Sequence, residues 1–221
     1  MNNKKRAARI TGWIMGVAAL LIALIIGFGP NLGLGFVPSW AERYNAVGLG
    51  GVGSGDSVAV VDVGNADCIV IQSNDMCAVI DCGDVGDNGN TVCKFLKSRN
   101  IKQIDYLVLT HYHSDHIGGA KALAESFPVG IALLPPDLED TTDVQLANEV
   151  VETIKSKGIK TETLAEGLKF AVGNFGLDVL LLRREAEDEN DRSAVISARI
   201  GEKNLLFMAD ASVESEKELI E

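Results

Sequence analysis

The sequence predicts an α/β domain built from layered sheets and helices, preceded by an apolar N-terminal segment. Short runs rich in β-branched residues alternate with segments of helical periodicity, and a histidine cluster follows one of the apolar runs. At 221 residues with 47% hydrophobic content, the chain can bury one substantial core. We therefore expect one domain at residues 57–221, behind an apolar segment at 1–28 and a linker at 29–56.

The N-terminal segment contains an uncharged run at residues 10–28. As a helix rising about 1.5 Å per residue, such a run reaches roughly the 30 Å of a bilayer core. Lys4, Lys5, Arg6 and Arg9 precede it, so the positive-inside rule places the N-terminus in the cytoplasm. We expect a single-pass signal anchor in the cell membrane with the domain outside the cytoplasm. The alternative is a cleaved signal peptide and a secreted domain.

The segment at residues 29–56 is rich in glycine and is interpreted as a linker. The whole chain has a net charge of −11, and subtracting the four N-terminal positive charges leaves −15 for residues 10–221. Such an acidic body repels phosphates, so charge gives no support to a nucleic-acid partner, and solubility is the simpler explanation. The oligomeric state is not indicated by the sequence.

The first half of the domain reads as a hairpin followed by a helix and two strands. Asn90 is the expected cap of the helix, and Pro135 and Pro136 stop the last strand. The predicted strands cover residues 58–63, 67–72, 76–81, 106–110 and 130–134, and the predicted helix covers 91–99.

The second half continues with a helix at residues 143–157, whose apolar side chains recur at helical spacing and which Gly158 ends. Ser212 is expected to cap a short final helix. The remaining predicted strands cover residues 177–182, 194–200 and 205–208.

All three histidines lie within residues 111–116, directly after the apolar strand. Residues two apart in an extended loop face the same way, so His111 and His113 can bind one ion together while Asp115 and His116 turn toward a second. Imidazole and carboxylate are the ligand types that borderline divalent metals prefer. The alternative is a polar loop in which histidines cluster by chance.

A helix is expected to begin at Ile117, which would hold the histidine loop between two rigid elements. Gly118 and Gly119 would let the backbone pass close to the bound ions.

The order His-x-His-x-Asp-His, followed by Ile117-Gly118-Gly119, resembles the signature of the metallo-β-lactamase-fold hydrolases. Four further segments resemble strands of one branch, the hydrolase domain of the competence DNA-uptake channel proteins. These segments are residues 60–71, 78–83, 190–196 and 205–210. The resemblance runs roughly from residue 57 to the C-terminus and implies the metallo-β-lactamase-like αβ/βα layered sandwich.

The resemblance also implies a metal-dependent hydrolase that uses a metal-activated water, with one or two zinc or manganese ions. It implies a phosphodiester such as DNA as the substrate. A carboxylic ester, a β-lactam or another small molecule is an alternative substrate, and a non-catalytic or degenerate metal-binding domain is an alternative function. Asp210 would bridge the two ions, and Asp115 is also the candidate catalytic residue. The candidate metal ligands are His111, His113, Asp115, His116 and Asp210.

Two features of the sequence bear on how complete this site is. Residues 117–209 contain no histidine, where many family members supply a further ligand, and the chain stops eleven residues after Asp210. Family members continue to a closing histidine. We therefore expect a C-terminally incomplete fold, either because the sequence is a fragment or because a divergent member has lost part of the site.

Several other residues have open interpretations. Asp67 and Asp81 could orient the imidazoles, although an aspartate at a strand end is more often a turn former. The acidic run at residues 185–191 could supply ligands, but a solvated loop is the favoured interpretation. Cys68 and Cys82 could form a disulfide across the hairpin, or the cysteines could be small buried residues.

Overall fold

The computed structural model describes residues 55–136 and 138–220. Ten strands and five α-helices follow one another along the described chain, with a 3₁₀ turn at Asn190–Arg192. The strands are β1 (Ser57–Val60), β2 (Ile69–Ser73), β3 (Met76–Ile80), β4 (Ile104–Val108), β5 (Val129–Leu134), β6 (Lys160–Thr163), β7 (Lys169–Val172), β8 (Phe175–Leu181), β9 (Val195–Ile200) and β10 (Lys203–Phe207). The helices are α1 (Asn90–Ser98), α2 (Ser114–Ile117), α3 (Ala120–Ser126), α4 (Val144–Ser156) and α5 (Val213–Ile220).

The strands form two sheets. The six-stranded sheet has the order β1-β2-β3-β4-β5-β6, with antiparallel pairing from β1 to β3 and parallel pairing from β3 to β6. The four-stranded sheet has the order β10-β9-β8-β7 and is antiparallel throughout. The parallel part follows from the helices that connect its strands, since parallel neighbours need crossover connections.

Two hydrophobic clusters explain the layers. Val79 and Leu107 lie in a cluster with helical residues such as Leu123, whereas Ile80 and Val108 lie in the second cluster with residues of the four-stranded sheet. Adjacent residues of β3 and β4 thus point into different cores, because successive strand side chains face opposite sides of a sheet. This burial on both faces explains why β3 and β4 have continuous apolar sequences. The predicted α/β layered architecture is confirmed for the described residues.

Most predicted elements have a counterpart within one to three residues at each end. The predicted helix start at Ile117 was wrong, since Ile117 ends α2 and the next helix, α3, begins at Ala120. The sequence analysis also missed the strands β6 and β7. The residues of β6 are polar and mostly exposed, and β7 shows only one short alternation, the half-buried Phe170 and the buried Val172. Both strands lie at sheet edges.

The expected cap of the first helix was wrong. Asn90 is the first residue of α1, and the backbone N–H of Thr91 donates instead to the carboxylate of Asp87 at 2.7 Å. Two further helix predictions match more closely: α4 buries Ala147, Val150, Val151 and Ile154, and Ser212 Oγ accepts from the backbone N–H of Glu214 at 3.2 Å.

All four cysteines of the described chain are buried, free thiols, as the second of the two interpretations requires. Burial raises the pKa of Cys77 to about 12 and raises those of Cys68 and Cys82 well above the usual range.

The predicted anchor at residues 10–28 and most of the predicted linker lie outside the described residues. Within residues 55–136 and 138–220, no helix combines the length and the apolar character needed to cross a bilayer.

Candidate metal centre

The histidine loop is fixed at both ends by backbone hydrogen bonds. At its start, Leu109 N–H donates to the carbonyl of Leu133 on β5, and Ala194 N–H donates to the carbonyl of Thr110. At its end the chain turns into α2, where the N–H groups of His116 and Ile117 both donate to the carbonyl of His113. The loop therefore bridges the two sheets at the end of β4.

The imidazoles of His111 and His113, two residues apart, lie in contact. His111 Nε2 lies 3.1 Å from His113 Nδ1. The outer nitrogen of His111, Nδ1, contacts two hydroxyl groups, Thr110 Oγ1 at 3.2 Å and Ser193 Oγ at 3.1 Å. Both contacts are buried, and they hold the inner nitrogen of His111 toward His113.

His116 is held by carboxylates instead. Its Nδ1 contacts Asp81 Oδ2 at 2.9 Å, and its Nε2 lies 3.3 Å from Asp210 Oδ1. Asp81 is itself fixed, because it accepts from the backbone N–H of Thr110 at 2.8 Å and from the Thr110 hydroxyl at 2.7 Å. Asp81 thus contacts the imidazole of His116, one of the two roles considered for it.

Asp115 and Asp67 lie at the margin of this group. Asp115 Oδ1 is 3.9 Å from His116 Nε2, and its side chain is 35% exposed. Asp67 N–H donates to the carbonyl of Asp115 at 3.3 Å, and the Asp67 carboxylate lies near the Asp81 carboxylate and the His116 imidazole. Burial is the main cause that raises the pKa of Asp67.

The two fully buried imidazoles have opposite pKa shifts. Burial lowers the pKa of His111 to about 2, and the neighbouring rings of His116 and His113 add to the effect. Burial also opposes the charged form of His116, but the hydrogen bond to Asp81 and the charges of Asp81, Asp210 and Asp115 raise its pKa to about 9.

The donor atoms fit a divalent metal ion. One ligand atom from each of His111, His116 and Asp210 lies within 4.8 Å of the others, and the same holds for Asp67, Asp81 and His116. Two nitrogen ligands of a tetrahedral zinc ion lie roughly 3.3 Å apart, close to the separation between His111 and His113. The outer nitrogens are already hydrogen-bonded, which is how metal-binding imidazoles are oriented.

The expected role of the two glycines was wrong. A Cβ at Gly118 would overlap the backbone of Asp84 and Val85, and a Cβ at Gly119 would overlap the carbonyl of Cys82. The glycines therefore make room for a second backbone segment rather than for the ions. That segment directly follows Asp81.

The acidic run at residues 185–191 is not a fully solvated loop, contrary to the favoured interpretation. Glu189 Oε2 lies 3.1 Å from His113 Nε2, and its side chain is 13% exposed. Asp191 is buried and accepts from Ser212 and Ser215 at the start of α5. Sequence reasoning missed Glu189 and Ser193 because neither has a local signal that separates it from a polar loop residue.

A cleft of about 530 Å³ opens beside His113. Arg192 is the one lysine or arginine among the described residues that line it, and it donates to the Asp140 carboxylate at 2.7 Å. The acidic lining residues are Glu139, Asp140, Glu187, Asp188 and Glu189.

Comparison with known proteins identifies the relatives of the domain. Residues 61–221 match the family model of the metallo-beta-lactamase superfamily. ComE operon protein 3 of Bacillus subtilis (strain 168) is 27% identical over 129 residues, which are 57% of this chain and 16% of that protein.

Solved structures with a related fold were also found. A metallo-beta-lactamase from Cronobacter sakazakii with a HARLDQ motif is 14% identical at a TM-score of 0.47, over 68% of this chain and 58% of that one. The metallo-beta-lactamase fold protein YhfI from Bacillus subtilis is 16% identical at a TM-score of 0.46, over 69% and 61%. CmlA, a diiron beta-hydroxylase from Streptomyces venezuelae, is 19% identical at 0.44, over 72% and 30%. The chain spans less than two thirds of each of these proteins.

Proposed function

We propose that this chain, a metallo-hydrolase that belongs to the metallo-beta-lactamase superfamily, hydrolyses phosphodiesters at the histidine loop. The observation that most supports the site is the convergence of ligand atoms from His111, His116 and Asp210 within 4.8 Å. A zinc or manganese ion bound there would supply an activated water molecule and an electrophilic centre for the substrate.

The residues of the site have distinct proposed roles. His111 and His113 would hold one ion, while Asp115 and His116 would hold a second, with Asp210 between the two. Asp115 is the proposed catalytic carboxylate, since it lies beside His116 and is 35% exposed, so it can accept a proton from the attacking water.

The substrate class rests on the resemblance to competence proteins, with which the match to ComE operon protein 3 agrees. The acidic lining of the cleft adds a constraint, because its one arginine is already paired with Asp140. The walls would repel a long polyanion, and bound ions would have to supply the positive charge for a phosphodiester. We therefore propose a short phosphodiester rather than an extended nucleic acid as the preferred substrate.

A location at the cell membrane, with the domain outside the cytoplasm, is proposed from residues 10–28 alone, and secretion after cleavage is the alternative. Fractionation of cells that express the full chain, with a protease added to intact cells, tests this directly. Protection of the domain from the protease in intact cells would contradict the proposal.

The test of activity starts from the full chain, stripped with a chelator and reloaded with zinc or manganese. Rates are measured on bis(p-nitrophenyl) phosphate, p-nitrophenyl acetate and a chromogenic cephalosporin. We expect metal-dependent turnover of the phosphodiester, which His116→Ala abolishes and Asp75→Asn, a change in the exposed hairpin turn away from the cleft, leaves in place.

Three outcomes would contradict the proposal in different ways. Turnover of the acetate or the cephalosporin alone would give another substrate class, and tight metal binding without any turnover would indicate a non-catalytic domain. Added salt should lower KM for an oligonucleotide substrate, because screening weakens its repulsion from the acidic walls. A KM that rises with salt would show attraction instead.

A further inference from the structure

Glu189 is not among the proposed metal ligands, yet its side chain lies against the metal centre. It lies in the acidic run beyond β8, yet its side chain is only 13% exposed, and its Oε2 lies 3.1 Å from His113 Nε2. Its neighbours Glu187 and Asp188 are exposed. One carboxylate of this run is therefore turned inward onto a histidine of the loop.

Glu189 is held in that orientation from the opposite side. The backbone N–H of Thr142 donates to Oε2 at 2.9 Å and its hydroxyl donates to the same oxygen at 3.0 Å. The hydroxyl of Thr141 donates to Oε1. Because both oxygens already accept hydrogen bonds, the carboxylate is placed to accept another from His113 and not to donate one.

The 3.1 Å contact with Glu189 favours a proton on Nε2 of His113. If Nε2 donates to Glu189, the other ring nitrogen, Nδ1, is left with its lone pair directed at His111 Nε2, 3.1 Å away. A carboxylate on the outer nitrogen is a common way of fixing the tautomer of a metal-binding imidazole.

His111 is fixed by an independent chain of hydrogen bonds. The hydroxyl of Thr110 gives its proton to Asp81 at 2.7 Å, so toward His111 Nδ1, at 3.2 Å, it can only accept. Thr110 therefore favours the tautomer of His111 with the proton on Nδ1, and the Ser193 hydroxyl, 3.1 Å from the same nitrogen, can accept from it as well. This tautomer leaves the lone pair on Nε2. With both inner nitrogens unprotonated, two lone pairs face each other 3.1 Å apart, an arrangement that a bound cation between them stabilises.

We propose that Glu189 is a positioning residue of the metal centre: it holds His113 with Nε2–H outward, so that His113 Nδ1 and His111 Nε2 bind one ion together. The inference rests on the proposed metal site and adds a residue outside the resemblance. It also gives the acidic run a function, since Glu189 connects the loop after β8 to Thr141 and Thr142 across the cleft.

The test compares Glu189→Ala and Glu189→Gln with Glu187→Gln, a matched change of an exposed glutamate on the same loop. Imidazole ¹⁵N NMR spectra of the metal-free full chain report which nitrogen of His113 is protonated. Competition with a chromogenic chelator gives the zinc affinity. We expect the Nε2–H form of His113 in the unmodified chain and in Glu187→Gln, and a mixture of tautomers in Glu189→Ala.

Zinc affinity should fall about 10–100-fold in Glu189→Ala, which is the usual effect of removing a partner that orients a ligand. Glu189→Gln should recover part of this loss, because its amide oxygen can still accept from Nε2–H. If Glu189→Ala does not fold, Thr142→Val provides the second variant, since it removes a hydroxyl that holds Glu189 and should shift the tautomer in the same direction.

A His113 ring protonated on Nδ1 in the unmodified chain would overturn the inference, as would unchanged tautomer and zinc affinity in Glu189→Ala. Neither measurement uses a substrate, so a chain that binds zinc without turnover would contradict the proposed function and leave this inference standing. A chain that binds no zinc would refute the metal site and with it the inference.

Discussion

His111 and His116 are two buried imidazoles whose ring centroids lie 4.1 Å apart, yet their surroundings shift their pKa values in opposite directions. The outer nitrogen of His111 meets two hydroxyls, and the pKa of this residue falls to about 2. The outer nitrogen of His116 meets the carboxylate of Asp81, and its pKa rises to about 9. The partner of the outer nitrogen, and not burial, thus decides whether the ring offers a lone pair or holds a proton.

Asp81→Asn gives His116 a neutral partner and so removes the difference between the two imidazoles. Of the changes considered, it should have the largest effect on stability. Removing one member of a buried charged pair costs about 3–5 kcal/mol of unfolding free energy. Asparagine is the suitable replacement because Asp81 has a φ of 56°, a conformation that asparagine tolerates. Urea denaturation measures the loss, and an NMR titration should show a lower His116 pKa.

Asp75→Asn is the control for this change, since Asp75 lies exposed in the hairpin turn and should alter stability by less than about 0.5 kcal/mol. Equal stability of the two variants would mean that Asp81 does not determine the charge of His116.

The pH dependence of metal binding tests the same difference between the pKa values of His111 and His116. Below about pH 9 the metal-free site holds a proton on His116 that a cation must displace, so the observed affinity should rise about tenfold per pH unit and level off above that value. His111 adds nothing to this slope, because its pKa of about 2 lies far below the working range.

Titrations of manganese with the metal-free chain at several pH values give the slope. Calorimetry in buffers of different ionisation heat should show about one proton released per ion at neutral pH. An affinity that does not change with pH would contradict the raised pKa of His116.

The hydroxyl partners of His111 can be tested with Ser193→Ala. One of two contacts at Nδ1 is lost, so we expect about 1 kcal/mol less stability and a decrease in metal affinity of at most about tenfold. Ser126→Ala, at an exposed site, is the matched control. A much larger loss in Ser193→Ala would mean that Thr110 alone cannot hold the ring.

The smallest effect is expected at the backbone that carries Asp210. Ala209 has a φ of 47°, which costs a residue with a Cβ about 1 kcal/mol relative to glycine. Ala209→Gly should therefore raise stability by up to about 1 kcal/mol, whereas Ala211→Gly should lower it. Thermal unfolding of both variants decides the matter, and destabilisation by Ala209→Gly would contradict the assigned strain.

The sequence predicted the features that neighbouring residues determine, and it missed the contacts between residues that are far apart in the chain. The strand that leads into the histidine loop and the approach of His111 to His113 follow from neighbouring residues. The partners of the outer nitrogens do not, because Asp81 is 35 residues from His116 and Ser193 is 82 residues from His111. Glu189 was hidden for a related reason: in an acidic run every side chain looks solvated until the fold turns one of them inward.

The edge strands β6 and β7 were missed for a different reason. Their positions are fixed by pairing with β5 and β8, while β6 has polar, mostly exposed residues and β7 carries only one short apolar alternation, Phe170 and Val172. Composition alone therefore cannot separate such strands from loops.

The close crossing at Gly118 and Gly119 limits how this loop could be reused in protein engineering. The amide of Cys82 donates to the carbonyl of His116 at 2.7 Å, and the glycines leave no space between the two backbones. A graft of residues 110–119 alone onto another scaffold would leave His116 without Asp81. It would also leave the crossing without its second backbone segment. Any transplant that keeps the crossing and the partner of His116 must carry residues 81–89 along, so these two segments have to be moved together.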